Sequence, residues 1–387
     1  MPHIDERLLE WATPRQREVL EILDKTGSAA ATARELGVGR STVTSTIQRV
    51  KAKAAQAGYS PEHDMTRTVP DGYSVRGVST YYDAEGKPRG QWVKSRADDV
   101  VREAALKAAY EAMAEELPRR TIMAAPAHTE AALCNLYTLT DCHVGMLAWH
   151  KEGGDDWDLA IAEETLTGCF ERLVDASPQA RVAVVNQLGD WNHWDGLMPV
   201  TPTSGHMLDA DGRFSKMVAA SIRILRRIVD YALAKHDTVH LIVAEGNHDL
   251  ASSVWLRLMF AALYENEPRI TVNDSELPYY VYRHGETMLA FHHGHLSKNA
   301  QLPLLFASQY PEIWGATRKR YAHCGHRHHV EVKEHSGMTV CQHSTLAARD
   351  AYAARGGWFS ERQITGYTYH DRWGQVGAVT VVPEMMV

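Results

Sequence analysis

The sequence predicts an α/β protein of two packed sheets, preceded by a small all-α domain and a β-hairpin. Three observations point there. Apolar strand-like runs alternate with helices of 3.6-residue period from about residue 133 to residue 264, and strands alone follow. The first 60 residues carry helical periodicity with capping residues at the breaks. Short clusters rich in His and Asp follow five of the apolar runs, where an α/β sheet displays its chemistry.

The elements follow in order. Residues 14–25 read as a helix with Pro14 in its first turn and apolar Val19, Leu20, Ile22 and Leu23. Ser28 is placed to cap a second helix that runs to Leu36 and ends at Gly37. A third helix runs from Thr42 to about Ala57. Val43, Ile47 and Val50 form one face, and Arg40, Thr44, Gln48, Arg49 and Lys51 decorate the other. Three short helices with a glycine turn before a basic third one form the helix-turn-helix pattern, and those five residues are the expected DNA contacts. A plain docking bundle is the alternative. Residues 73–82 and 90–93 read as a hairpin bearing Arg76, Lys87, Arg89, Lys94 and Arg96, and residues 97–117 as a connecting helix. Pro118 to Ala131 has no periodicity and marks a boundary. The expected organisation is a helix-turn-helix domain over 1–60, a hairpin and connector over 61–130, and a catalytic domain over 131–387.

Within that last part, strands are expected at 133–140, 182–188 and 239–243, with helices at 159–173, 214–234 and 254–264. Further strands are expected at 269–273, 278–283, 287–292, 321–325, 329–333 and 338–342, with strand-like runs at 364–370 and 377–382. The stretch 191–213, with Pro199, Pro202 and Gly205, reads as a long loop beside the site and a candidate lid.

Composition narrows the function classes. No apolar run approaches the roughly 20 residues needed to cross a bilayer, and five scattered cysteines suggest no disulfide framework, so a reducing cytoplasm is expected. The net charge of −7 is uneven: residues 1–120 hold 19 basic against 18 acidic side chains, and the remainder 22 against 30. Nucleic-acid affinity would therefore come from local patches, such as residues 36–61, which carry Arg40, Arg49, Lys51 and Lys53 and no acid.

The clusters are Asp141-Cys-His143, Gly189-Asp190, Gly246-Asn-His-Asp249, His292-His-Gly-His295 and Cys324-Gly-His-Arg-His-His329. If residues 326–328 are extended, His326 and His328 point to the same side. Taken singly, each histidine would be a core or surface residue. As an ordered set, the carboxylates, imidazoles and one amide oxygen suit Mn²⁺, Fe or Zn²⁺, and seven donors suit two ions better than one.

In this order the motifs resemble those of the calcineurin-like metallophosphoesterase superfamily, over about residues 133–345. The resemblance implies a two-sheet metallophosphoesterase sandwich with two divalent metals, Mn²⁺ foremost and Fe or Zn²⁺ as alternatives. One metal would take Asp141, His143, Asp190 and His328. The other would take Asp190, Asn247, His293 and His326, with Asp190 bridging. A metal-bridging hydroxide would attack phosphorus, and His248 would protonate the leaving oxygen. His193 stands where phosphatases of the superfamily carry Asp, which is similar to the SbcD-type DNA repair nucleases. There it would position the phosphate or support His248, although Asp195 lies close by in sequence. Arg327 is a candidate phosphate contact, and Trp191 and Trp194 either stack on bases or belong to the core. The capping domain of that nuclease family is not evident after residue 345, and the helix-turn-helix of this chain is foreign to that family and resembles phage-encoded fusions, which implies the cytoplasm of a bacterium or phage-infected host. The expected function is a metal-dependent deoxyribonuclease with DNA as partner, no membrane association and a homodimer suggested by the helix-turn-helix. A nucleotide or cyclic-nucleotide phosphodiesterase or phosphatase, and a DNA-binding regulator with an idle phosphoesterase half, are the rival readings.

Overall fold

A computed structural model of the chain describes residues 5–56, 59, 73–82, 88–97, 104, 107–108, 111, 124–202 and 204–386. They fall into two compact units, Met1–Ala104 and Ala105–Val387. The first holds α1 (Pro14–Thr26), α2 (Ala29–Leu36), α3 (Arg40–Gln56) and a hairpin of β1 (Tyr73–Tyr82) and β2 (Pro88–Ala97). The local chemistry sets the helix ends. The Thr13 hydroxyl accepts from Gln16 N while the Gln16 side chain accepts from Thr13 N, a reciprocal cap. Gly27 and Gly37 take left-handed conformations where α1 and α2 stop. Val19, Ala33 and Val43 pack between the three helices, and Leu8 of an unpredicted 3₁₀ turn (Glu6–Trp11) packs with Leu20, Val50 and Ala54. The hairpin turn at 83–87 and the side chains of Arg76, Lys87, Arg89, Lys94 and Arg96 lie outside the described residues. So do most of the helix expected over 97–117 and the start of the boundary segment after it.

The second unit is a four-layer sandwich. One sheet has six strands: β3 (Glu130–Leu139), β4 (Ala180–Gln187), β5 (Thr238–Val243) and β6 (Ile270–Val272) run parallel. β12 (Ile364–His370) and β13 (Gly374–Val381) add antiparallel beyond β3. The other sheet has five, in the order β10 (Glu331–His335), β11 (Met338–Gln342), β9 (Lys319–Cys324), β8 (Thr287–Phe291), β7 (Tyr280–His284). Alternation along the strands builds the layers. Leu136, Val184 and Ile242 meet Tyr280, Leu289 and Phe291 between the sheets. Their neighbours Tyr137, Val185, Leu241 and Val243 face three long helices on the outer side: α5 (Leu159–Ala176), α6 (Phe214–Lys235) and α7 (Leu250–Leu263). On the far side of the second sheet, Met288, Ala290, Ala322 and Val340 pack on Leu302 and Phe306 of α8 (Leu302–Gln309). Strands covered on both faces have no polar side to alternate, so they read as continuous apolar runs.

The expected two-sheet α/β architecture is therefore present. Four short helices were not anticipated: α4 (His150–Gly153), α8, α9 (Pro311–Ala316) and α10 (Ala351–Gly356). The loop after Trp191 is tied down rather than free along its described length. Asp211 N donates to Gly145 O and Leu147 N to Asp209 O, fastening it to the segment after β3. Among the described residues no helix is long and apolar enough to cross a membrane.

Candidate metal centre

Parallel β3, β4 and β5 of one sheet and parallel β8 and β9 of the other end at a common edge, and each is followed by one polar cluster. The chain leaves these strands abruptly. Among the described residues only five non-glycines have positive φ, namely Asp141 (53°), His143 (44°), Asp190 (49°), His326 (69°) and His328 (53°). A left-handed backbone at such residues costs on the order of 1–3 kcal/mol each and persists only where the surroundings enforce it. All five are expected ligands. The finding also corrects one expectation. His326 and His328 do not share a side through strand alternation, because their backbones are left-handed and not extended.

The side chains converge. Donor atoms of Asp141, Asp190, His293 and His326 lie within 4.8 Å of one another, as do those of Asp141, His143 and His328, and of His143, His193 and His248. His328 Nε2 is 3.0 Å from Asp141 Oδ1 and His293 Nε2 is 3.2 Å from Asp190 Oδ2. Asp141 is common to two of the groups. Asp141 Oδ1, His293 Nε2 and Asn247 Oδ1 are buried yet engaged in no hydrogen bond. Buried polar atoms are ordinarily satisfied, so three such atoms, two of them in the converging donor groups, fit a site for cations. The donors are carboxylate, imidazole and amide, which suits divalent ions of intermediate hardness. The buried thiols of Cys142 and Cys324 are pushed well above their usual range by burial, which leaves no thiolate nearby.

Charge within the cluster is mutually supporting. Burial drives the Asp141 and Asp190 carboxyls upward. The imidazoles beside them outweigh it and hold both below the usual range, His328 and His293 acting on Asp141, and His293 with His248 on Asp190. Burial lowers His293, but Asp190 and Asp141 overcome it and raise it to about 10. Burial, reinforced by its histidine neighbours, keeps His143 well below its ordinary value and takes His193 down to about 3. The ligand rings are oriented from behind. His293 Nδ1 donates to Leu188 O at 2.8 Å, which turns Nε2 toward the carboxylates. The same device operates on His248, whose Nδ1 donates to the backbone carbonyl of His193 at 2.8 Å. The two rings stack at 5.6 Å, and His193 Nδ1 is 3.3 Å from His143 Nδ1.

Asp249 is the group that sequence reasoning missed. Its buried carboxylate accepts from the backbone N–H groups of Asp190, Trp191, Asn192 and Gly246, so it shapes the turns of β4 and β5 together. Thr345 is a second: its hydroxyl donates to Asp141 O at 2.6 Å. Asp249 stood in a recognised motif beside His248, but nothing in its neighbours signals a carboxylate turned toward backbone. Two glycines follow from the same closeness. A Cβ at Gly246 would collide with Asp190, and one at Gly325 would collide with Thr140 Oγ1 and sit 2.7 Å from Asp141 Oδ2.

Other expected residues have clear positions. Asp195 is outside the donor groups and accepts from Ala251 N and Ser252 N at the start of α7. Trp191 and Trp194 are fully buried, so they are core and not stacking platforms. Arg327 is exposed. In the first unit, Arg40, Thr44, Gln48 and Arg49 are exposed on α3 and Lys51 is partly exposed, with Thr44 Oγ1 donating to Arg40 O.

No protein-family model and no curated protein matches the chain. Solved structures do. A predicted phosphoesterase from Streptococcus pneumoniae is 11% identical, with 66% of this chain and 92% of that one covered, at a TM-score of 0.31. An archaeal phosphodiesterase is 10% identical, with 64% and 99% covered and a TM-score of 0.33. Vps29 of Entamoeba histolytica complexed with Zn²⁺ is 13% identical, with 64% and 98% covered and a TM-score of 0.27. At such identities and scores these likenesses assign no activity to the chain.

Proposed function

We propose that the chain is a metal-dependent phosphoesterase that cleaves DNA phosphodiesters, with residues 1–60 acting as a helix-turn-helix DNA-binding domain. The observation that carries the reading is the confinement, among the described residues, of left-handed non-glycine backbone to Asp141, His143, Asp190, His326 and His328. In this reading Asp141, His143, Asp190, Asn247, His293, His326 and His328 hold two divalent cations, manganese foremost. Bound there, the cations supply Lewis-acid charge to a phosphoryl group. The chain's own residues do the rest. His248, with Nδ1 engaged by the His193 carbonyl, presents Nε2 to the departing oxygen and donates the proton it needs. His193, buried and neutral beside His143, fixes that carbonyl. Water is the nucleophile in this reading, and Arg327, exposed between His326 and His328, meets the substrate from outside. DNA as substrate is favoured by His193 in place of a carboxylate and by the exposed Arg40, Thr44, Gln48 and Arg49 of α3.

The test uses the full chain with Mn²⁺ and labelled single- and double-stranded DNA, with bis(p-nitrophenyl) phosphate and p-nitrophenyl phosphate as small substrates. Cleavage of DNA and of the diester is expected, with Asp190→Ala reducing both at least about 1000-fold while duplex binding persists. Hydrolysis of the monoester alone would refute the nuclease. Arg40→Ala with Arg49→Ala should weaken duplex binding and lower the slope of log K against log salt by about 0.9 per arginine.

A further inference from the structure

Beside the metal centre lies a cleft of about 260 Å³ lined by Lys298, Asn299, Arg327, Glu331, Lys333 and His335. Its walls are built by the elements that carry the metal ligands. Lys298 follows the His293 turn, and Arg327 lies between His326 and His328. Gln342 ties the two walls, its amide donating to Gly325 O while its Oε1 accepts from Asn299 Nδ2 at 3.4 Å. Edge strand β10 supplies the third wall, since alternation puts Glu331, Lys333 and His335 on one face. Three permanent cations face one carboxylate there, on a chain whose net charge is −7. None of Lys298, Arg327 and Lys333 makes an ion pair with a described residue. His335 Nε2 is buried without a hydrogen-bond partner. Lysines on an edge strand can serve merely to discourage strand pairing. That explains Lys333 but not the convergence of cations from three separate segments.

We propose that this cleft binds the backbone phosphate neighbouring the scissile one in a polynucleotide, and so selects chains over mononucleotides. The inference rests on the phosphoesterase reading for its catalytic meaning. The cleft's affinity does not depend on it. Arg327 spans the step from the metal centre to the cleft, Lys298 and Lys333 neutralise the second phosphate, and Asn299 and His335 offer polar contacts to it.

The experiment uses the full chain and a 5′-fluorescein single-stranded tetranucleotide, too short to engage a groove-reading helix. Binding is followed by fluorescence anisotropy in EDTA. Wild-type protein is expected to bind, and Lys298→Glu with Lys333→Glu to bind at least tenfold more weakly. The Lys298→Ala, Lys333→Ala pair should show a salt slope reduced by about 0.7 per lysine. In manganese, the ratio of kcat/KM for an oligonucleotide to that for bis(p-nitrophenyl) phosphate should fall about tenfold in either pair. Unchanged tetranucleotide affinity would overturn the proposal, as would equal loss on both substrates. Competition by a nucleoside diphosphate as strong as by the tetranucleotide would overturn it too, since the cleft would then read a terminal phosphate. If no diester is turned over while the binding difference stands, the phosphoesterase reading fails and the cleft survives.

Discussion

At Asp249 one buried carboxylate accepts four peptide N–H groups from two turns. Asp249→Ala would strand those donors away from water, so a loss of about 3–5 kcal/mol is expected in urea unfolding followed by circular dichroism. His236 makes a different prediction. It is buried at the end of α6, its Nδ1 donates to Ala232 O, and its Nε2 lies 3.3 Å from the Asn135 amide. Burial takes its pKa down to about 4, against an unfolded value near 6.5. The unfolded chain therefore binds the proton first. The stabilisation is whole above pH 6.5 and is lost as pH falls from there toward 4, by up to about 3 kcal/mol. His236→Asn should flatten the dependence of the unfolding free energy on pH across that window. The converging donors were legible at this scale because each stands just past an apolar run. Asp249 was not, since a carboxylate serving backbone donors looks like any other in a one-dimensional string. Trp191 and Trp194 stayed undecided between stacking and core for the converse reason: adjacency to Asp190 in sequence says nothing about where a ring lies, and both rings are core.

Turns, more than strands, make the site. Each of β3, β4 and β9 ends in a reversal sharp enough to need left-handed backbone at a residue of the donor groups, and the reversals interlock. His326 N donates to Asp141 Oδ2, His248 N to Asp190 Oδ1, and His143 N to Asp190 O. Gly325 is the tightest of these joints. Gly325→Ala should leave the sandwich folded but push the Asp141 carboxylate off its position. Manganese affinity measured by titration calorimetry is expected to fall about 10–100-fold, the range typical of disturbed support around a ligand. The positions of the strands along the chain and the long helices were readable because burial on both faces writes itself as apolar runs and as 3.6-residue periods. The helices over 302–316 were not. Leu302, Leu304, Leu305 and Phe306 are too uniformly apolar to show a period, and Pro303 and Pro311 read as breaks although each sits in a first helical turn. The geometry at His326 and His328 also escaped, because periodicity arguments assume an extended chain and these residues have left it.

For the second unit as a whole, metal binding at the centre is expected to add to stability. Two carboxylates and several imidazoles crowd one buried space, so ions that bind only the folded form should stabilise it by about 2.7 kcal/mol at a concentration 100-fold above the dissociation constant. Scanning calorimetry in manganese against EDTA should register this as a rise of several degrees in Tm, and Asp190→Ala should abolish the rise. The overall architecture was legible because the alternation of runs encodes layers. The order in which the strands lie side by side was not, since β12 and β13 follow every other strand in sequence, yet β12 pairs with β3, the first strand of its sheet, and β13 lies outside it. That layout also sets a timetable for maturation. The donors run from Asp141 to His328, and the Thr345 hydroxyl that braces Asp141 comes later still. During synthesis the first sheet's ligands emerge well before the second sheet's, and a nascent chain halted ahead of His293 could offer only part of a cage.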